Sequence, residues 1–303
     1  MNLLITGAWG QAKDVIPQIE AMGHQVIFMQ QEKEALPCPS EWVEGVICNG
    51  LFLYHPIETF ANLRYIQLTS VGFDRVPIAY IEEHGIVIHN AKDVYSIPMA
   101  EHAIACALWF YRGLGSFREN QKAHVWEKQR NLKEIYGKTV LIVGCGNVGT
   151  ACAQAFKALG CTVIGIDQYA RSAEGFSKIH NKENLTDCLR QADIVVLSVP
   201  LTSETKHLIA DDELSSMKDE ALLINISRGG ILDTVSLIKH LPRLFGSALD
   251  VFEEEPLQKD SQLWAYENVL ITPHNCFVGE GNAVRLNDVI VHNLKKYENI
   301  GDQ

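Results

Sequence analysis

Residues 138–149, with the sequence KTVLIVGCGNVG, hold the stretch that decides the fold. Their apolar and β-branched side chains predict a buried strand, Thr139–Val143, which runs directly into the pattern Gly144-x-Gly146-x-x-Gly149. Apolar residues then recur in steps of three and four, which predicts that a helix follows. A strand, a glycine-rich turn and a helix in this order are typical of a dinucleotide-binding unit.

Each glycine of this turn has a physical role in pyrophosphate binding. Gly144 permits the tight turn, Gly146 lets a pyrophosphate approach the backbone, and Gly149 allows the helix and the strand to pack closely. The helix N-terminus, at Asn147 and Val148, supplies free N–H groups and the positive end of a dipole. We therefore expect all five residues to contact the cofactor.

Asp167 directly follows the next predicted strand, Thr162–Ile166, and lies 18 residues beyond Gly149. A carboxylate there accepts hydrogen bonds from the ribose hydroxyls of adenosine and repels a 2′-phosphate. No basic residue comes after it until Arg171. A glycine turn without a ligand is the alternative, but the strand, the helix and the carboxylate together complete the fingerprint. The sequence therefore predicts NAD as the cofactor.

A second glycine turn, Thr6-Gly7-Ala-Trp-Gly10, is similar to that of the short-chain dehydrogenases. Those enzymes use a Tyr-x-x-x-Lys pair, and none of the nine tyrosines has a lysine four residues later. We therefore interpret Gly7 and Gly10 as turn glycines.

The charge balance of the 303-residue chain excludes several classes of partner. With 26 basic and 37 acidic side chains, the formal net charge is −11, whereas nucleic acids and anionic membranes bind basic surfaces. No apolar run reaches the roughly 18 residues of a membrane-spanning helix, and no signal peptide is recognisable. The eight cysteines form no CxxC pair, which favours a cytoplasmic protein without disulfides or a metal site.

Short β-branched runs alternate with helical patterns, which predicts an α/β fold with two doubly wound parallel sheets. Five strands are predicted early in the chain: Asn2–Thr6, Gln25–Met29, Val46–Cys48, Tyr65–Leu68 and Ile86–His89. Six are predicted later: Thr139–Val143, Thr162–Ile166, Ile194–Val199, Ala221–Ile226, Gly246–Phe252 and Val269–Thr272. Between the two sets we predict an apolar helix, Ser96–Leu114, and a polar arm, Phe117–Tyr136.

Three neighbouring strand ends of the later set carry polar side chains: Arg228, the run Glu253–Glu255, and His274. Each has a plain structural explanation when taken alone. Parallel strands, however, present their carboxyl ends to one crevice. Hydride transfer from a nicotinamide to a carbonyl needs an acid that protonates the developing alkoxide, and a histidine can be that acid. A neighbouring carboxylate side chain can orient the imidazole ring. A guanidinium can hold the carboxylate of a substrate with two parallel hydrogen bonds.

This set of motifs resembles the D-isomer-specific 2-hydroxyacid dehydrogenases. The matching stretches are Val143–Gly149, Ala192–Thr205, Leu223–Leu232, Ala248–Leu257 and Asn268–His274, with weaker matches at Val71–Asp74 and Ala100–His102. The resemblance covers nearly the whole chain. It implies a Rossmann NAD-binding domain at 96–276 and a flavodoxin-like substrate-binding domain formed by 1–95 and 277–303.

The resemblance implies an NAD-dependent reductase that converts a small 2-oxo acid to the D-2-hydroxy acid. In it, Arg228 would bind the substrate carboxylate and carbonyl, His274 would be the acid/base, and Glu255 would be its partner. The helix and arm, 96–136, would form the interface of a homodimer. The short tail after the last motif predicts no regulatory domain.

The resemblance also implies binding roles. Backbone amides around Ser70, Val71 and Gly72 would hold the substrate carboxylate, and Asp250 would bind the nicotinamide carboxamide. The other implied cofactor contacts are Val199, Pro200, Thr205, Ile226, Ser227 and His274.

Two features of the chain bear on the substrate. The residues Asn275-Cys276-Phe277-Val278 stand where members of the family have small residues, which alters the expected pocket floor. The loop Asn49–Tyr54, expected to face the nicotinamide, is apolar and aromatic, with only Arg75 and Lys92 as nearby cations. Because a phosphate needs Arg or Lys, we expect an unphosphorylated substrate.

Other functions on this scaffold remain open at the level of sequence. One is the oxidation of another small anion such as phosphite, whereas formate dehydrogenases are disfavoured because they carry a glutamine where Glu255 stands. The second is a non-enzymatic, NAD-sensing binding protein of the corepressor type, because such relatives can retain the catalytic triad.

Overall fold

The computed structural model describes residues 1–169 and 172–301, which form two compact units. The first consists of Met1–Tyr95 and the segment that begins at Gly279; the second is Ser96–Val278. The boundary expected at residue 277 thus lies two residues later. The reason is local: Val278 N–H donates to the carbonyl of Asn275 at 3.1 Å and the Phe277 ring contacts that of His274, so both residues stay with the second unit.

The first unit contains a five-stranded parallel sheet. Its strands are β1 (Asn2–Thr6), β2 (Gln25–Met29), β3 (Gly45–Cys48), β4 (Tyr65–Leu68) and β5 (Val87–His89). Helices α1 (Ala12–Ala21) and α2 (Ile78–Glu83) connect them. The order β2-β1-β3-β4-β5 is the flavodoxin-like order and confirms that prediction.

The second unit contains a seven-stranded parallel sheet. Its strands are β6 (Thr139–Val143), β7 (Thr162–Ile166), β8 (Lys178–His180), β9 (Ile194–Leu197), β10 (Leu222–Asn225), β11 (Gly246–Leu249) and β12 (Val269–Ile271). The order β12-β11-β10-β9-β6-β7-β8 is that of the Rossmann fold with one more strand beyond its sixth. The predicted fold class is confirmed.

Among the described residues, six helices belong to the second unit, and a last one returns to the first. They are α3 (Ser96–Tyr111), α4 (Leu114–Lys122), α5 (Asn147–Ala158), α6 (Leu185–Leu189), α7 (Asp211–Ser216), α8 (Thr234–His240) and then α9 (Asn282–Gly301). Short 3-10 turns lie at Ser40–Trp42, Leu51–Leu53, Ile57–Thr59, Lys182–Asn184, Gly229–Ile231, Leu241–Arg243 and Gln262–Ala265. Among the described residues, no helix has both the length and the apolar character needed to cross a membrane.

The structure adds one strand to the predicted elements and moves the ends of three others by more than one residue. Strand β8 was not predicted, because only Ile179 of its three residues is apolar and its position depends on pairing with β7. The helix predicted to reach Leu114 ends at Tyr111, since Gly113 takes a φ of +62° before α4 begins. Predicted strands that ended at Val199 and Phe252 stop two and three residues earlier, because the backbone there leaves the sheet.

The core of the second unit explains why the sequences of its central strands are continuous apolar runs. Strands β6, β9 and β10 are buried along almost their whole length, and side chains of each point into apolar clusters on both faces of the sheet. Parallel sheets covered by helices on both faces require this pattern. The carboxyl ends of these rigid strands then carry the polar loops of the candidate site.

Candidate active site

The turn between β6 and α5 has the geometry that its glycines predict. Gly144 has a φ of +97°, in the left-handed region that favours glycine. A Cβ on Gly149 would lie 1.9 Å from the carbonyl oxygen of Gly144, so only glycine allows this close packing. A Cβ on Gly146 would meet no atom within 4 Å. Gly146 is the N-cap of α5, and because it is a glycine no side chain covers the start of the helix. The N-cap of α5 thus leaves space beside the backbone, as the approach of a pyrophosphate requires.

The Asp167 carboxylate, just beyond β7, lies over this turn. Its Oδ2 accepts a hydrogen bond from the backbone N–H of Cys145 at 2.9 Å, and its Oδ1 accepts one from Tyr169 N–H at 2.8 Å. Burial, together with the Asp167 charge, raises the pKa of the Cys145 thiol to about 12. The acidic group is therefore fixed beside the turn, where this fold binds the adenosine ribose. Arg171, the first basic residue after it, lies outside the described residues.

The loop after β9 packs against the same turn. The Ser198 hydroxyl donates to the carbonyl oxygen of Gly144 at 2.8 Å, and a Cβ on Gly144 would lie 2.8 Å from Cγ1 of Val199. Farther along, the Thr205 hydroxyl donates to the carbonyl of Pro200 at 2.6 Å, which closes the loop. Val199, Pro200 and Thr205 are predicted cofactor contacts, and all three lie in this loop.

Arg228 follows two buried residues, Ile226 and Ser227, just beyond β10. Asn225, the fully buried last residue of β10, accepts hydrogen bonds at Oδ1 from the N–H and the hydroxyl of Ser227, at 3.1 and 2.8 Å. Its Nδ2 donates to the carbonyl of Arg228 at 3.2 Å, and Arg228 Nη1 donates to the carbonyl of Ser227 at 2.8 Å. Asn225, which the sequence analysis did not single out, thus fixes the backbone that carries the guanidinium.

His274 and Glu255 form a hydrogen-bonded pair about one-third exposed to solvent. Nδ1 of His274 lies 2.7 Å from Oε2 of Glu255, while Oε1 of Glu255 accepts a bond from Phe252 N–H at 3.0 Å. Because a carboxylate only accepts hydrogen bonds, the pairing requires a proton on Nδ1. Nε2 is then the nitrogen that can exchange a proton with a ligand.

Asp250, just after β11, is 1% exposed, and its carboxylate holds the turn that carries His274. Oδ1 accepts from the Thr272 hydroxyl and from Asn275 N–H at 2.6 and 2.8 Å, and Oδ2 accepts from Cys276 N–H at 2.9 Å. Burial by itself raises the pKa of Asp250, but these hydrogen bonds outweigh it and hold the pKa below its usual value. The Asp250 carbonyl also accepts from His274 N–H at 2.7 Å. The predicted nicotinamide contact of Asp250 stays a prediction.

Phe277 adds an aromatic contact to the site. Its ring centroid lies 6.0 Å from that of His274, with the planes at 88°, an edge-to-face arrangement. The bulky side chain at this position was visible in the sequence, but its contact with the imidazole was not. The ring therefore makes an apolar wall beside the predicted acid/base.

In the first unit, the predicted substrate-binding residues lie in the loop after β4. The carbonyl of Ser70 accepts from Ala91 N–H at 2.9 Å, and the carbonyl of Val71 accepts from Asn90 Nδ2 at 2.7 Å. In a trans peptide the next N–H points opposite to the carbonyl. The N–H groups of Val71 and Gly72 therefore point away from these partners, as an anion-binding loop requires.

The glycine turn of the first unit, at Gly7 and Gly10, is covered by a neighbouring residue. A Cβ on Gly7 would lie 2.3 Å from the carbonyl oxygen of Gln30 and 2.6 Å from its Nε2, so the Gln30 side chain covers the turn. The side chain of Trp9 is buried and donates to Oδ1 of Asn287 at 2.7 Å. These contacts agree with the interpretation of Gly7 as a turn glycine.

Comparison with known proteins gives the family. Residues 104–276 match the model of the D-isomer specific 2-hydroxyacid dehydrogenase, NAD binding domain. The chain belongs to this family. Its second unit is the NAD-binding domain, which confirms the predicted class of cofactor.

Relatives of the 2-hydroxyacid dehydrogenase family match most of the chain. A glyoxylate reductase of Thermococcus gammatolerans is 34% identical over 258 residues, 80% of this chain and 76% of the relative. A D-3-phosphoglycerate dehydrogenase of Methanocaldococcus jannaschii is 32% identical over 244 residues, 79% of this chain but only 46% of the relative. The chain thus spans less than half the length of such phosphoglycerate dehydrogenases. A crystal structure of a family protein from Aeromonas salmonicida, 25% identical, has a TM-score of 0.85 and covers 98% of this chain and 95% of its own.

Proposed function

We propose that the protein is an NAD-dependent oxidoreductase that reduces a small 2-oxo acid to the D-2-hydroxy acid. The observation that carries this proposal is the 2.7 Å contact between His274 Nδ1 and the Glu255 carboxylate. The pair lies at the carboxyl ends of the strands of the second sheet. The glycine turn after β6, which has the geometry of a dinucleotide-binding turn, belongs to the same sheet. Arg228 follows a neighbouring strand of the same sheet.

The residues divide the reaction between them. A bound NADH would supply the hydride for reduction of the substrate carbonyl. Arg228 holds the substrate carboxylate and polarises the adjacent carbonyl. Imidazolium His274 donates the Nε2 proton to the developing alkoxide, while Glu255 keeps the ring oriented through Nδ1. The role expected for the N–H groups of Val71 and Gly72 in holding the substrate carboxylate stays a prediction.

The names of the relatives suggest two kinds of substrate, a small 2-oxo acid such as glyoxylate and a phosphorylated one. The loop Asn49–Tyr54 offers Leu53 and Tyr54 to solvent and no cation. The Arg75 guanidinium belongs to a residue close to this loop, since a Cβ on Gly50 would lie 3.7 Å from Arg75 Cδ. One guanidinium does not balance the roughly two extra charges of a phosphate.

We therefore expect NADH oxidation with small or branched 2-oxo acids to exceed that with 3-phosphohydroxypyruvate by roughly tenfold or more in kcat/KM. A spectrophotometric panel of 2-oxo acids tests both the reaction and this ranking. Turnover with none of them would contradict the proposed function and favour an NAD-sensing binding protein. The reverse ranking would instead assign Arg75 or Lys92 to a phosphate.

We further propose a homodimer built on α3, α4 and the arm that follows them. Trp126 is 95% exposed and Tyr136 is 76% exposed, and Ile97 on α3 is also exposed. Large apolar side chains with such exposure are typical of interaction surfaces. The predicted cytoplasmic location stays a prediction.

Sedimentation at micromolar concentration is expected to give about twice the chain mass of 33.8 kDa. Trp126→Ser should shift the equilibrium toward monomer, because the variant removes the most exposed aromatic ring of this surface. Trp264→Ser is the matched control, since Trp264 is exposed outside the arm. A wild-type chain that sediments only as monomer would contradict the dimer.

A further inference from the structure

Glu32, three residues beyond β2, gathers hydrogen bonds from two other strand ends of the first unit. Its Oε1 accepts from the Thr6 hydroxyl at 2.8 Å and from Asn49 N–H at 2.7 Å, and its Oε2 accepts from Gly50 N–H at 2.8 Å. Short hydrogen bonds to a carboxylate are about twice as strong as neutral ones. One side chain therefore ties the start of the loop after β3 to the end of β1.

The same residue holds the far end of this loop. The backbone carbonyl of Glu32 lies 2.9 Å from Nε2 of His55, so Glu32 contacts both ends of Asn49–His55. Between these points Leu51 is fully buried as an apolar anchor. The loop is thereby fixed at its two ends and once in its middle.

The side chains left outside this anchor are the ones that can meet a ligand. Leu53 is 60% exposed and Tyr54 is 56% exposed, although both belong to a loop whose backbone is firmly held. Exposed apolar groups on a rigid loop are suited to selecting a substrate by shape. Their position depends on the backbone that Glu32 holds.

The hydrogen bonds of Glu32 require a carboxylate at this position. Three donors converge on its two oxygens and direct the negative charge into the protein. An amide could not replace it, since one of its two ends donates hydrogen bonds and would face the Asn49 or the Gly50 N–H. The arrangement thus requires a carboxylate, although neither its charge nor its side chain would touch the substrate.

We propose that Glu32 is a positioning residue for substrate selection: it fixes the Asn49–His55 loop so that Leu53 and Tyr54 discriminate among 2-oxo acid side chains. This inference rests on the proposed function. Sequence motifs did not indicate it, because Glu32 is distant from Asn49 along the chain and belongs to no recognised pattern.

Glu32→Gln tests the proposal, and Glu44→Gln is its matched control. Glu44 also accepts a hydrogen bond from a backbone N–H, that of Asn2 at 2.8 Å, and pairs with Arg64 at 3.0 Å. It lies, however, at the amino ends of the strands, whereas Glu32 lies at their carboxyl ends. Both variants lose a carboxylate bonded to backbone. Only Glu32→Gln should affect the loop.

For Glu32→Gln we expect the KM for the preferred 2-oxo acid to rise about tenfold, with kcat and the KM for NADH nearly unchanged. The kcat/KM ratio between preferred and poor 2-oxo acids should fall toward one. A merely structural role would lower the active fraction, and hence the apparent kcat, without changing the KM or this ratio. Equal KM and equal selectivity in wild type, Glu32→Gln and Glu44→Gln would overturn the proposal.

Backbone hydrogen exchange separates this inference from the proposed function. Amides of Asn49–His55 should exchange at least tenfold faster in Glu32→Gln than in wild type, and at the wild-type rate in Glu44→Gln. If the wild-type enzyme turns over no 2-oxo acid, the proposed function fails on its own. Unchanged exchange in Glu32→Gln would overturn the anchoring role whatever the substrate is.

Discussion

The variant His274→Asn is expected to lose on the order of 10²–10⁴ in kcat, because it removes the group that protonates the developing alkoxide. Asparagine cannot supply a proton from the position of Nε2. The KM for NADH should stay nearly unchanged, since the glycine turn and Asp167 are untouched. Steady-state kinetics with the best 2-oxo acid, together with NADH titration by fluorescence, measures both quantities.

Two comparisons make this result specific. His240→Asn removes a histidine that is also paired with a carboxylate, Asp211 at 2.8 Å, but far along the chain from the strand ends of the site, and should keep kcat. Glu255→Gln should lose less activity than His274→Asn. Its amide can accept from only one of its two donors, Phe252 N–H and His274 Nδ1–H, so the ring is oriented less well. Wild-type turnover in His274→Asn would show that another group is the acid.

The wild-type protein is expected to prefer NADH over NADPH by on the order of 10²-fold in kcat/KM, because like charges placed together cost several kcal/mol. Asp167 is the source of this repulsion, since its carboxylate is fixed beside the glycine turn by Cys145 N–H and Tyr169 N–H. Asp167→Ala should narrow the preference substantially. The KM for NADH should rise at the same time, because a partner of the ribose hydroxyls is lost.

Asp193→Ala is the matched control for this experiment. Asp193 also accepts a backbone N–H, that of Thr139 at 2.9 Å, and pairs with Lys218 at 3.1 Å, but it lies at the opposite edge of the sheet from the turn. The control variant should have lower thermal stability than the wild type, but the same ratio of kcat/KM with NADH to kcat/KM with NADPH. Equal kcat/KM for NADH and NADPH in the wild type would refute the role assigned to Asp167.

Local patterns were sufficient for most of the fold. Strands β1, β2, β4, β6 and β7 lie at their predicted residues, because a buried parallel strand must be a short apolar run between polar turns. The glycine turn could be located for a similar reason, since each glycine answers a steric need of its immediate neighbours. Where apolar content is small, as in β8, pairing with a neighbouring strand decided the structure, and the sequence carried no signal.

The candidate site divides in the same way. The sequence by itself determined which polar residues follow the strand ends, because the carboxyl ends of parallel strands share one edge: Arg228, the run Glu253–Glu255 and His274 could all be named. The pairing of Glu255 with His274 was expected from the family resemblance, but only the tertiary structure decided the other contacts of the site. The contacts of Asp250 with the His274 turn, of Phe277 with the imidazole ring, and of Glu32 with the Asn49–His55 loop join segments far apart in the chain. Such contacts depend on strand order and loop geometry, which no local periodicity records.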